Sequence, residues 1–533
     1  MDMRSKICIV SAAALLFTAC ASSQKAARPE PSNEADFHYM LSVDAQLSED
    51  WEEALKQLEL ALRENPDSAY LRTEKSQVYL KMKRIEDAVR TAEEAVEQSP
   101  DYEPALSLLA YLYSSQKKFD KAVAVYEKLI RLNPEMTQNY IHLAYLYSVE
   151  NQHEKAIAIL KKVLAIDPFN TMGRYTLGRI YLETREYVKA IEELQKTVES
   201  DPALWDAYNL LGVAYESVAD VDNAILNYEE SLKLNAHNTE ARKRLALLYL
   251  KKEKIEEAIE QLRKISVMEP GNLETHGILA KIYFSERRYE DSEKELRVII
   301  SAQPENANAL LMFGKVLGIQ EKYEEAARQF EKLEKLMPES ADVLITFGQL
   351  YLQKKDYEQA EEKFRKALAL EPDNDEALFS IAVAYEKTDR TQEMFSYLKK
   401  TLEKNPNHVQ ALNYLGYTYA EKGIHLEEAL KLVQRAIELE PESGYIRDSL
   451  AWVYYKMGRY SEALNEIKKA LETEADDPVI FEHLGDIYLK LDNKEAAEEA
   501  WKKSLEFREK DEGLKERIYE KLKKLGSVEP QNQ

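Results

Sequence analysis

Cysteine occurs twice in 533 residues, as Cys8 and Cys20. Both lie near the N-terminus, so the long body that follows has no disulfide and no cysteine-held metal. Glycine is also scarce, with 15 residues. Ala, Leu, Glu and Lys are abundant instead, a balance that favours helix throughout. Positive charge is in deficit: 73 Lys and Arg stand against 96 Asp and Glu, for a net charge of −23. A surface that tracks nucleic-acid phosphates needs the opposite sign, so no nucleic-acid partner is expected. Self-repulsion that keeps the chain soluble accounts for the acidity, and a basic protein partner would also suit it.

Chemistry-bearing motifs are missing as well. There is no Gly-rich phosphate loop, nucleophile elbow or Cys-His pair. The eight histidines (His38, His142, His153, His237, His276, His408, His425 and His483) are scattered without a His-Glu-x-x-His spacing. No catalytic residue, cofactor or metal ligand is assigned, and the chain is not expected to be an enzyme.

Long apolar runs are also absent, apart from Ile7 to Phe17, which follows Arg4 and Lys6 and leads into small residues. It is too short to span a bilayer comfortably and has the layout of a cleaved export signal over 1–19. Phe17-Thr18-Ala19-Cys20 resembles a bacterial lipobox, with Phe17 where Leu is usual and Leu16 one place further back. The resemblance implies that Cys20 becomes a lipid-bearing first residue. Ala21, in place of a retention Asp, leans toward the outer membrane. The alternative is an ordinary signal cut near Ala19, leaving a soluble periplasmic protein. The polar, proline-bearing stretch up to residue 34 reads as a tether. Fully extended, such a segment reaches at most about 50 Å.

What fills the rest is a period of 34. Repeat starts fall at 35, 69, 103, 137, 171, 205, 239, 273, 307, 341, 375, 409, 444 and 478, giving fourteen units over 35–511. Position 8 is Gly, Ala or Ser in every unit, as at Gly178, and position 11 is Tyr in twelve of fourteen, as at Tyr181. Position 20 is Ala except at Ser292 and Met394. The small residue lets two helices approach, and the tyrosine three residues on shares its face, which reads as core. Prolines such as Pro100, Pro168, Pro202 and Pro372 end one unit, with polar residues placed to cap the next helix. The sixth unit has Ala236-His237-Asn238 there instead, predicting continued stacking with a softer joint. The twelfth carries one extra residue near Gly423-Ile424-His425. Beyond 511, Leu514, Ile518, Leu522 and Leu525 form one stripe, predicting a capping helix over 512–526 and a disordered tail over 527–533.

These columns resemble the tetratricopeptide repeat family over nearly the whole mature chain. The resemblance implies an all-α fold, a right-handed superhelix of about fourteen helix-turn-helix repeats whose A helices line a concave groove for protein segments. By that analogy positions 2, 5, 9 and 12 face the groove. They nominate Tyr111, Tyr145, Arg179, Lys281, Lys315 and Tyr417, with Tyr445, Trp452 and Tyr455 near the end, as candidate peptide-binding residues. The expected function is a membrane-anchored, non-catalytic scaffold for other proteins in the cell envelope. The resemblance also leaves open a pilot or assembly lipoprotein for an outer-membrane secretin or polysaccharide exporter, or a regulatory accessory of a cell-wall enzyme.

Overall fold

The computed structural model describes residues 33–507 and 513–526. Among the described residues every regular element is an α-helix: fourteen consecutive hairpins, each an A helix and a B helix, followed by the helix Leu514–Leu525. The chain divides into two compact halves, Met1–Gln261 and Leu262–Gln533. Asn33 and Glu34, assigned above to the tether, already belong to the first helix, Asn33–Leu47. The export signal, Cys20, the tether as far as residue 32 and the tail over 527–533 lie outside the described residues.

In repeat 5 the A helix is Thr171–Glu183 and the B helix Tyr187–Ser200, and the others keep these proportions. The last residue of a unit starts the next A helix. Ser68, Asn170, Asn272, Asn306, Ser340 and Asn374 each accept a hydrogen bond from the backbone N–H three residues on. A cap of this kind contributes about 1 kcal/mol. The sixth joint, which lacks proline at position 32, behaves alike: Asn238 accepts from the Ala241 N–H at 3.0 Å, and stacking continues. The closing backbone bonds carry the geometry, since Met136 and Leu204 begin A helices without a side-chain cap.

The turn from A to B holds a feature that the composition conceals. Position 15 lies in the left-handed region in all fourteen repeats, and only Gly423 and Gly458 are glycines. In repeat 2 the Arg84 N–H donates to the Tyr79 carbonyl at 2.9 Å and the Lys83 N–H to the Leu80 carbonyl at 3.0 Å. This is a Schellman termination, which satisfies two otherwise orphaned carbonyls at the cost of one left-handed residue. Repeat 12 closes its A helix the same way, from Ile424 to Tyr419. Its extra residue, His425, then takes a second left-handed conformation (φ 50°) as the cap of the B helix Leu426–Leu439.

Position 8 is a hole and position 24 the knob that fills it. A Cβ on Gly212, Gly314 or Gly348 would sit 2.6, 2.6 and 2.5 Å from ring atoms of Tyr228, Phe330 and Phe364. On Gly178 and Gly416 it would meet Leu194 and Val433. Where position 8 is Ala, as at Ala144, Ala382 and Ala451, position 24 is Leu160, Leu398 and Ile467, all fully buried. Ser76 sits opposite small Ala92, and its hydroxyl donates to the Ala88 carbonyl at 2.7 Å. A ring at position 24 mostly faces glycine, as close packing favours, although Ala110 faces Tyr126.

The Leu514–Leu525 helix closes the last repeat. Leu514, Ile518 and Leu522 bury against Ala497 and Trp501 of the B helix Lys494–Glu506. At the other end Phe37 is 57% exposed, whereas Ala105, Gly173 and Ala207 at the same position of later repeats are buried.

Gly348→Ala is expected to destabilise its hairpin by about 2 kcal/mol, the usual cost of overpacking. Adding Phe364→Leu, which recreates the Ala382–Leu398 pairing, should recover most of it. Hydrogen exchange across Ala341–Gln353 in the two variants measures both effects.

Candidate interaction face and C-terminal cluster

Three columns of side chains are used up by packing, which narrows where a ligand could bind. The position 11 rings pack in the core, and their hydroxyls bridge to position 25 of the preceding B helix. Tyr113 donates to Glu93, Tyr249 to Glu229 and Tyr147 to Glu127, while Tyr283 accepts from the Arg263 Nε–H at 2.8 Å. The cation three residues past the A helix covers the ring: Arg84, Arg288, Arg390 and Arg459 lie 4.2–4.7 Å from the centroids of Tyr79, Tyr283, Tyr385 and Tyr454.

Position 4 is the third such column. Arg174 pairs with Glu193 at 2.7 Å and reaches the Pro168 carbonyl. His276 does the same with Glu295 and the Pro270 carbonyl, as does Arg447 with Glu466 and the Pro441 carbonyl. His38 likewise bonds Gln57. Among the described residues no group of three or more His, Cys, Asp and Glu is placed to hold a metal ion, and no helix is long and apolar enough to cross a membrane.

Position 9 is different. In the first half, Tyr111 is half-buried, Tyr145 is 39% exposed, and the Arg179 guanidinium stands 5.7 Å from the Tyr145 ring centroid. These two side chains come from adjacent A helices, Thr137–Val149 and Thr171–Glu183. Glu183 beside them accepts from Ser148 Oγ at 2.8 Å. In the second half, Lys281 and Lys315 are exposed and have no ion-pair partner among the described residues.

Trp452, nominated as a groove contact, is only 7% exposed. Its indole stacks on Tyr455 (4.7 Å, 6°) and on His483 (4.0 Å, 19°), and its Nε1–H donates to Glu421 at 2.5 Å. The indole thus serves as packing between three A helices, Val409–Glu421, Gly444–Lys456 and Pro478–Lys490. Tyr417, two repeats before His483, lies 6.4 Å from it between ring centroids, and burial raises its phenol. Burial, with Asp486 nearby, pushes the Tyr455 phenol up to about 12. Tyr445 stays 53% exposed; burial and then Glu474 raise its phenol.

The spacing arguments passed over the polar floor of this cluster. His483 Nδ1 and Asp448 Oδ1 are 2.8 Å apart in a buried pair. Burial works against the imidazolium, and Asp448, with Asp486 and Glu482 behind it, outweighs that penalty, holding the pKa above the ordinary histidine value. Glu482 is also buried, yet Arg517 at 2.9 Å and Lys521 at 2.7 Å from the closing helix hold it below the carboxylate range. Lys521 reaches Asp486 too, at 2.7 Å, but burial keeps that carboxyl raised. Asp448 and His483 occupy positions 5 and 6 of neighbouring repeats. Neither column singles them out, since position 5 also holds Lys243 and Glu482 and position 6 holds Glu74, His142 and Arg244.

Models described as tetratricopeptide repeat match residues 149–211, 319–362 and 424–482, others 206–238, 376–408, 397–431 and 480–511, and a TPR repeat model 348–389. The N-terminal TPR repeats region of Psidin matches 44–169. The chain belongs to the tetratricopeptide repeat family. No curated protein matches this tetratricopeptide repeat chain. Among solved structures it is similar to the APC/C hetero-tetramer Cut9–Hcn1 (16% identity, TM-score 0.40, covering 84% of this chain and 94% of that one). Yeast Tom70 is similar at 17% identity and TM-score 0.37, over 86% of this chain and 95% of that one. A tetratricopeptide repeat protein from Parabacteroides merdae follows at 20% and 0.39, over 46% and 97%. Tetratricopeptide repeats generally mediate protein–protein interactions, and members of the family are typically non-catalytic.

Two outcomes test the C-terminal cluster. Trp452→Ala should cost the second half about 3–5 kcal/mol, as for other buried rings, measured by urea unfolding. Because the folded pKa of His483 is raised, the stability it contributes is fully present below its unfolded pKa. That stability is lost as pH rises through the higher folded value. Asp448→Asn should flatten this dependence, read from unfolding curves on both sides of that window.

Proposed function

We propose that this tetratricopeptide repeat protein is a membrane-anchored scaffold of the bacterial envelope that holds segments of other proteins along its A-helix face and performs no chemistry of its own. The observation that carries the binding face is position 9, where Tyr145, Lys281 and Lys315 stay exposed. Positions 4, 8 and 11, by contrast, are largely absorbed by packing and hydrogen bonding. An aromatic face beside a guanidinium, as at Tyr145 and Arg179, gives stacking and charge-assisted bonding to an extended chain. Lipid on Cys20 and the tether behind it supply the anchoring half of the proposal. The bacterial lipobox resemblance implies several acyl chains, enough for stable attachment.

Photocrosslinking probes placed at 145 in the first half, and at 281 and 315 in the second, should capture protein in living cells, and a probe at Val188, 75% exposed on a B helix, should not. Equal capture from Val188 would remove the groove. The captured protein also separates a secretin or polysaccharide-exporter subunit from a cell-wall enzyme. Independently, Cys20→Ser should move the protein from the membrane to the soluble fraction, and continued sedimentation with membranes would overturn the anchor.

A further inference from the structure

Among the described residues, every glycine inside a helix is required by packing, with one exception. A Cβ added to any of the others would come within 2.3–2.9 Å of a neighbouring atom. At Gly277 the nearest atom is Ile299 Cδ1 at 3.9 Å, an ordinary contact. Gly277 lies inside the A helix Leu273–Ser285 and has no positive φ. A glycine at such a place weakens the helix relative to alanine, which the fold would accept here. What glycine supplies and alanine does not is close approach by another backbone.

Gly277 occupies position 5, whose side chains bridge neighbouring helices elsewhere in the second half. Phe379 meets Tyr414 edge to face with ring centroids 6.1 Å apart, Asp448 reaches His483 at 2.8 Å, and Glu482 reaches Arg517 of the closing helix at 2.9 Å. Gly277 has no side chain to make that bridge to the A helix Ala307–Ile319. The counterpart there of Tyr414 and His483 is Met312, which is half-buried. Lys281 stands one turn along from Gly277 on the same face, and Lys315 holds the same position one repeat later. Both lysines are exposed and have no ion-pair partner among the described residues. Acids outnumber cations along the chain, yet even Asp342 on the following A helix is not paired with Lys315.

We propose that Gly277, Lys281 and Lys315 form a docking notch for an acidic, extended segment of a partner protein, its backbone crossing Gly277 and its carboxylates meeting the two ammoniums. Charge-assisted hydrogen bonds of this kind are stronger than neutral ones. In a polyproline-II-like segment, residues three apart point the same way and lie about 9 Å from each other. Neighbouring packed helices are about 8–10 Å apart, so acids at i and i+3 match lysines one repeat apart. A methyl group at 277 would stand where the segment passes. This inference rests on the A-helix face as the binding face and names the charge and conformation of what its second half takes.

The test titrates the full mature chain at low salt with acetyl-Ala-Glu-Ala-Ala-Glu-Ala-amide, whose only carboxylates are side chains, and reads binding by saturation-transfer NMR. Versions of the peptide with glutamine or lysine in place of glutamate serve as comparisons. The glutamate peptide should bind, and added salt should weaken it. Lys281→Met combined with Lys315→Met should weaken it about tenfold. Gly277→Ala should weaken it about fivefold while melting stays the same or rises. Lys335→Gln, on the exposed surface of the B helix Tyr323–Leu336, should change nothing. No binding by the wild type, equal binding of the glutamine peptide, or equal binding by the double variant would overturn the notch. So would Gly277→Ala that binds as well as the wild type, or one whose melting falls, which would make that glycine a packing residue. Tighter binding of the lysine peptide would overturn the charge assignment. Crosslinking in cells at 281 and 315 that persists after any of these failures leaves the A-helix face standing and removes the notch alone.

Discussion

The stack depends on one residue that closes a turn and ties two repeats together. Tyr79, and its equivalents at position 11, lends its carbonyl to the Schellman termination and its ring to the core. In Tyr113 and Tyr249 the hydroxyl extends to a carboxylate on the preceding B helix. The same side chain therefore reports on the fold of its own hairpin and on its contact with the one before. In a linear array, where stability is a sum of unit and neighbour terms, this couples the two. Where the tyrosine is missing, at Ala45 and Leu317, the backbone bonds of the turn persist, from Asp50 and Lys322. The turn is a backbone device, and the ring adds the link between neighbours.

The second constraint is volume. The gap between an A helix and its B helix is filled jointly by positions 8 and 24. Gly348 with Phe364 and Ala382 with Leu398 are two divisions of one space. Trp501, the largest knob, faces Gly485, and its indole N–H is also satisfied by the Glu482 carbonyl and the Asp486 carboxylate, both 3.2 Å away. Packing and polar satisfaction thus meet at the final repeat, where the closing helix also brings Arg517 and Lys521.

Function follows from what these demands leave over. Side chains at positions 4, 8, 11 and 24 are largely committed to neighbours, so a ligand meets what lies between them on the A helices. In the first half that includes the Tyr145–Arg179 pair; in the second, Lys281 and Lys315. The Trp452 cluster belongs to the opposite category. Its aromatic rings resemble a binding stripe in one dimension, but three A helices close over them.

The sequence by itself determined the class of fold, because a period of 34 with small, aromatic and proline columns admits one economical way to bury its apolar faces: stacking hairpins on copies of themselves. It also contained the pairing of positions 8 and 24, legible once the columns are read jointly. The left-handed residue at position 15 was hidden, since Glu49, Lys83 and Asp389 carry no conformational signature of their own. Only the tertiary structure decided which aromatic residues are covered. Trp452 and Tyr145 occupy the same position in their repeats, yet one is buried and the other exposed. The difference arises from neighbours far along the chain, Glu421 and His483 for Trp452. Burial is a property of what surrounds a residue, and a repeat pattern fixes those surroundings only where every unit is alike.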